Sequence, residues 1–143
     1  MEHAVPNWIS YFQDIARMVA KRATCPRRQV GAIIVKDRTI LSTGYNGSVR
    51  KTDHCTEKGC IMENGHCVRT VHAEVNAIIQ AAKNGVKIDG AEMYSTSGLC
   101  WNCLKIIANA GIKTVYFEDE YPDEKVRLGA AEMSIQLVRV SVV

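Results

Sequence analysis

Apolar residues recur at helical spacing near the start of the chain. Trp8, Phe12, Ile15, Ala16 and Val19 fall on one face, so residues 7 to 23 read as an amphipathic helix placed just after Pro6. The break "CPRRQ" ends that pattern. "VGAIIV" is then a short β-branched run, "KDR" a turn, and "TILSTGYNG" a second run ending in a glycine-rich loop, which together predict a hairpin. Residues 48 to 69 keep no period. From Thr70 onward Val71, Val75, Ile78, Ile79 and Ala82 share a face, predicting a helix that stops near "NG" at 84 to 85. "AEMYST" reads as a strand, "CWNCLKIIANAG" as a helix closed by Gly111, and "IKTVYF" as a strand. Residues 123 to 133 read as a helix and "SIQLVRVSVV" as a last strand. The order α-β-β-loop-α-β-α-β-α-β predicts an α/β fold, a mixed sheet with helices on both faces. No repeat, linker or low-complexity stretch divides it, so residues 1–143 are expected to form a single domain.

Composition changes this picture little. Hydrophobic residues make up 47% and charged residues 23% of the 143, ordinary globular usage. A net charge of +3 is too mild to argue for a nucleic-acid surface and suits an anionic small molecule equally well. "MEHAVPNWIS" has neither a basic lead nor an apolar core, so no signal peptide is expected, nor does any apolar run reach membrane-spanning length. A cytoplasmic protein is the expectation. In a reducing compartment, six cysteines point to metal ligands or catalytic groups before disulfides.

Two motifs carry the chemistry. His72-Ala73-Glu74 opens one expected helix and Cys100-Trp101-Asn102-Cys103 opens another. Cysteines at i and i+3 face the same way on a helix. Thiolates are also stabilised at a helix N-terminus by its unpaired N–H groups. With His72 they make three protein ligands, Cys100 and Cys103 supplying sulfur, and leave a zinc ion one open position for water. Glu74 then borders the metal as a proton-carrying carboxylate, and zinc acidifies its water to a pKa of roughly 7. That pairing suits attack on an electron-poor C=N carbon. H-x-E followed by C-x-x-C is the signature pattern of zinc deaminases, whereas a lone C-x-x-C is often a structural zinc half-site or a redox pair and a lone H-x-E says almost nothing.

"HCVRTVHAEVNAI", "GYNGS", "VGAIIV" and "NAGIKTVYF" together resemble the deoxycytidylate (dCMP) deaminase family, in its bacterial late-competence-operon and phage-like branch. The resemblance runs from about Val30 to about Tyr121. It implies a three-layer α/β/α sandwich around a five-stranded mixed sheet, and hydrolysis of dCMP to dUMP and ammonia. It implies His72, Cys100 and Cys103 as ligands of a catalytic Zn2+ and Glu74 as the residue moving protons between water, N3 of the base and the departing ammonia. It matches Asn46 and Tyr121 to substrate-contacting positions. On the residues alone, Asn46 is equally a turn residue tolerating positive φ, and Tyr121 an ordinary strand-end aromatic. Trp101 either lines the base pocket or packs. The family usually has proline before the first cysteine, and this chain has Leu99, which puts the stiffness of that turn in question. Homo-oligomers, up to hexamers, and control by dCTP and dTTP are further implications, with no membrane or nucleic-acid partner.

Four cysteines remain. Cys25, Cys55, Cys60 and Cys67 would satisfy a structural zinc, which takes four Cys or His ligands, and some relatives hold one in this region. His66 or His54 could replace one member. Arg27, Arg28, Arg50 and Arg69 are all candidates for a 5′-phosphate. Two alternatives stay open: deamination of another cytosine or adenine substrate, and a catalytically weakened zinc-binding relative tied to DNA uptake.

Overall fold

Asn7 accepts a hydrogen bond from the Ser10 backbone N–H at 2.9 Å and so starts helix α1 (Trp8–Ala20), inside the expected 7 to 23. The structure, a computed structural model, describes residues 2–119 and 121–141; the end of the expected last strand, 142–143, lies outside the described residues. Strands β1 (Gly31–Lys36) and β2 (Thr39–Tyr45) form the hairpin, turned by Asp37 and Arg38 at φ 50° and 61°. Two consecutive positive φ values match the right-handed twist of the paired strands.

The segment without a period holds only short pieces: β3 (Gly47–Ser48), α2 (Cys55–Lys58), β4 (Met62–Glu63), β5 (His66–Cys67) and β6 (Thr70–Val71). β4 pairs with β5, and β3 with β6. Thr70 and Val71 therefore belong to a strand, not to the following helix, as β-branched residues favour. Helix α3 (Ala73–Lys83) begins two residues later. Then come β7 (Glu92–Ser95), α4 (Trp101–Asn109), β8 (Thr114–Phe117), α5 (Glu124–Glu132) and β9 (Gln136–Arg139). Gly111, at φ +86°, follows the end of α4.

The main sheet has five strands in the order β2-β1-β7-β8-β9. β1 runs antiparallel to both neighbours, and β7, β8 and β9 are parallel. The expected five-stranded mixed sheet is therefore present, with α1 on one face and α3, α4 and α5 on the other. Alternation along each strand supplies both cores. Ile34, Met93 and Val115 face Ala77, Leu104 and Ile107, while Ile33, Val35 and Tyr94 face Phe12 and Ala16. Each large buried side chain stabilises the fold by about 2 kcal/mol.

Two glycines set how closely the helices approach. A Cβ on Gly31 would stand 2.1 Å from the Ala16 carbonyl oxygen on α1, and one on Gly44 2.3 Å from the Ala77 nitrogen on α3. Both helices therefore lie directly on strand backbone. This seats the start of α3 beside the start of α4, at the carboxyl ends of the parallel strands, where open α/β sheets form crevices.

Candidate functional site

Cys100 is the N-cap of α4, and its sulfur accepts a hydrogen bond from the Cys103 backbone N–H at 3.4 Å. His72 holds the same position on α3. The two caps and Cys103 converge. His72 Nδ1 lies 3.2 Å from Cys103 Sγ and 3.6 Å from Cys100 Sγ, and all three donor atoms fall within 4.8 Å of one another. Tetrahedral zinc bonds of 2.0 to 2.3 Å separate sulfur from nitrogen by roughly 3.6 Å, so these side chains fit a zinc ion as they stand. The hydrogen bond to Cys103, and then His72, hold the Cys100 thiol down at about 4 against the opposing effect of burial. Cys103 moves the other way, raised by its bond to Cys100, by burial and by the charge of Glu74. His72 is raised chiefly by its hydrogen bond to Cys100.

Glu74 is 4% exposed. Its Oε1 accepts a hydrogen bond from Ser95 Oγ at 2.7 Å, and its Oε2 stands 3.8 Å from Cys103 Sγ. The carboxylate thus has one oxygen tied to β7 and one directed at the thiol and imidazole cluster.

A cavity of about 380 Å³ opens over these groups. His72, Glu74, Cys100 and Cys103 line it together. Asn46, Ser97, Arg27 and Arg28 also line it, as do Gly65, His66 and Cys67 of the irregular segment. Arg28 donates to Ser97 Oγ at 2.7 Å and to the Asp119 carboxylate at 2.9 Å. Of the four arginines considered, Arg27 and Arg28 line the cavity, whereas Arg69 donates to the Gly59 carbonyl.

Asn46 is buried and has no positive φ, so it is not the turn residue its type suggests. Its Oδ1 accepts from the Val30 N–H and its Nδ2 donates to the Arg28 carbonyl, both at 2.8 Å, clipping β2 to the Arg28–Val30 backbone. Tyr121 lies outside the cavity lining. It is exposed, set edge-on to Phe117 with the Arg139 guanidinium over its ring. Trp101 packs: a Cβ on Gly129 would meet its ring at 2.5 Å, and Lys125 Nζ sits 4.8 Å above it. Leu99, where proline was expected, is buried in the α3–α4 core.

The remaining cysteines also meet. Cys25, Cys55 and Cys60 bring their sulfurs within 4.8 Å of one another, and Cys67 Sγ is 3.6 Å from Cys55 Sγ. Burial first, then Cys67 and Cys60, push the Cys55 thiol up to about 12. His66 is exposed on β5, and His54 Nδ1 is buried with no hydrogen-bond partner among the described residues. Ser95 and Ser97 went unnoticed in the sequence. The available signal was phase, because Ser95 shares the core-facing side of β7 with Met93.

Residues 6–119 match the family described as the cytidine and deoxycytidylate deaminase zinc-binding region. The chain belongs to the cytidine and deoxycytidylate deaminase family. ComE operon protein 2 of Bacillus subtilis is 50% identical over 115 residues, covering 80% of this chain and 61% of that protein. The deoxycytidylate deaminase of Schizosaccharomyces pombe is 35% identical over 124 residues, covering 81% of this chain and 38% of that one. This deaminase-family chain thus spans less than two thirds of the length of either relative. A crystal structure of the dCMP deaminase from cyanophage S-TIM5, in complex with dCMP and dUMP, superposes with a TM-score of 0.83 at 31% identity, covering 96% of this chain and all of that one. Among the described residues, no helix of this deaminase-family fold is long and apolar enough to cross a membrane.

Proposed function

We propose that the chain is a zinc-dependent dCMP deaminase, converting dCMP and water to dUMP and ammonia. The observation that carries this reading is the convergence of His72, Cys100 and Cys103 beside buried Glu74, in a cavity that two arginines also line. Zinc held by those three ligands would supply a water acidified to near neutrality.

The chain's residues do the rest. Glu74 receives a proton at Oε2, the oxygen not tied to Ser95, and returns it to N3 of the base as water adds to C4. The same carboxylate then takes the proton of the new C4 hydroxyl and passes it to the amine, which departs as ammonia as the C4–N4 bond breaks and the C4 carbonyl forms. A carboxylate placed this way contributes about 10²- to 10⁴-fold to such a step. Arg27 and Arg28 receive the 5′-phosphate, and Arg28 exchanges its bonds to Ser97 and Asp119 for phosphate oxygens. Asn46 spends one Nδ2 N–H on the Arg28 carbonyl and turns the second to the nucleotide. The second cluster, Cys25, Cys55, Cys60 and Cys67, holds a structural zinc; two zinc-bound sulfurs stand roughly 3.8 Å apart, close to the 3.6 Å between Cys55 and Cys67.

Ammonia release from dCMP, CMP, deoxycytidine and a tRNA anticodon stem tests the reading. Turnover of dCMP above the others is expected, and a zinc-loaded chain silent on dCMP would overturn it. Mass measurement in solution, with and without dCTP and dTTP, tests the homo-oligomer and the nucleotide control that the family resemblance implies.

A further inference from the structure

We infer that Ser95 is a positioning residue for Glu74, fixing which carboxylate oxygen is free to carry the proton. The inference rests on the deaminase reading above. Ser95 is fully buried on the core-facing side of β7, where its strand neighbour in phase is Met93 and its paired residue across the sheet is Ala32. A hydroxyl in such company costs free energy unless it is hydrogen-bonded. Here both its bonds are specified. The Ser97 backbone N–H donates to Ser95 Oγ at 3.2 Å, which leaves the hydroxyl proton for Glu74 Oε1 at 2.7 Å.

The serine itself is held from the opposite face of the sheet. Gln13, fully buried on α1, donates from Nε2 to the Ser95 carbonyl at 2.8 Å. The antiparallel pairing of Ser95 with Ala32 fixes the strand laterally. The hydroxyl therefore has little freedom to follow Glu74, and Glu74 must come to it. With Oε1 occupied, Oε2 is the oxygen that stands against Cys103, whose sulfur in turn meets His72. Without the hydroxyl, the carboxylate turns about its last torsion, a soft one, and both oxygens sample the reactive position. The ground-state nucleotide, held through its phosphate by Arg27 and Arg28, does not register this change.

The test uses a shape-matched pair, Ser95→Thr and Ser95→Val, in the zinc-loaded chain of 143 residues. Both add the same bulk to the strand, and only threonine keeps a donor. Zinc content and thermal midpoint identify folded, loaded protein, and Ser95→Ala, which adds no bulk, serves where the larger pair does not fold. The expected result is a kcat on dCMP about 10- to 100-fold lower for valine than for threonine, with KM within about 2-fold. Calorimetric binding of a pyrimidin-2-one deoxynucleotide, which gains affinity by adding water at C4 like the substrate, should weaken by a similar factor, with dUMP affinity unchanged. Equal kcat and equal analogue affinity in threonine and valine, or in alanine and wild type, would overturn the inference while the deaminase reading stands. A wild-type chain silent on dCMP overturns both.

Discussion

His72 Nδ1 stands 3.2 Å from the sulfur of Cys103, so the first turns of α3 and α4 meet at a single point. Neither element could hold a metal alone. Replacing Cys103 by alanine is expected to remove one zinc per chain and all deaminase activity. The α3–α4 packing through Leu104 and Ile107 is retained, so circular dichroism should be near that of wild type. Elemental analysis beside the ammonia assay checks this, and a Cys103→Ala chain with full zinc content would contradict it.

Glu74 occupies no ligand position in the cluster of His72, Cys100 and Cys103. Glu74→Gln should therefore keep its zinc and lose about 10²- to 10⁴-fold in kcat, with dUMP affinity unchanged within a few-fold. Activity equal to wild type would remove Glu74 from the mechanism.

Arg28 lines the cavity from the loop before β1. Arg28→Ala should raise KM for dCMP by about 10- to 100-fold, the loss of charge-assisted hydrogen bonds to a phosphate. Deoxycytidine, which has no phosphate, should react as slowly with the variant as with wild type. Parallel steady-state assays on both substrates decide it.

The cysteine cluster predicts a separable metal. Cys55→Ala should lower zinc from two equivalents per chain to one and drop the thermal midpoint by at least roughly 10 °C, because the irregular segment has little apolar core to replace the metal bonds. Four thiols reacting freely with a thiol reagent in the native wild-type chain would rule the second zinc out.

Gly44 supports the site from below. Gly44→Ala would drive a methyl into the Ala77 backbone at 2.3 Å, which no rotamer can relieve. The expected cost is about 3 kcal/mol, read from urea unfolding, and α3 must shift with its His72 and Glu74. Zinc affinity should fall together with stability.

Much of this was legible from the sequence, for identifiable reasons. Helix α1, the β1–β2 hairpin and helices α3 and α4 declare themselves by period and by turn residues, since each buries one face. His72, Glu74, Cys100 and Cys103 declare themselves by residue type. In the segment from 48 to 69 the cysteines were legible by residue type, together with Cys25, but its short helix and strands were not, because no period marks pieces of two to four residues. Asn46 was ambiguous for a related reason. Its partner is the Val30 backbone, brought close only when β2 returns along β1. For Ser95 the only signal was its phase with Met93, and its partner Glu74, on α3, is set by packing that the strand pattern does not encode.

Finally, β3 and β6 pair Gly47 with Val71 and Ser48 with Thr70, so the segment from Val49 to Arg69 leaves and re-enters the fold at one place. It is a cassette. Its Gly65, His66 and Cys67 line the cavity, while Glu74, His72 and the α4 cysteines line the same cavity from outside this segment. A change of sequence between Ser48 and Thr70 therefore alters the cavity wall at Gly65, His66 and Cys67, while the residues of the His72, Cys100 and Cys103 cluster stay on elements outside that segment.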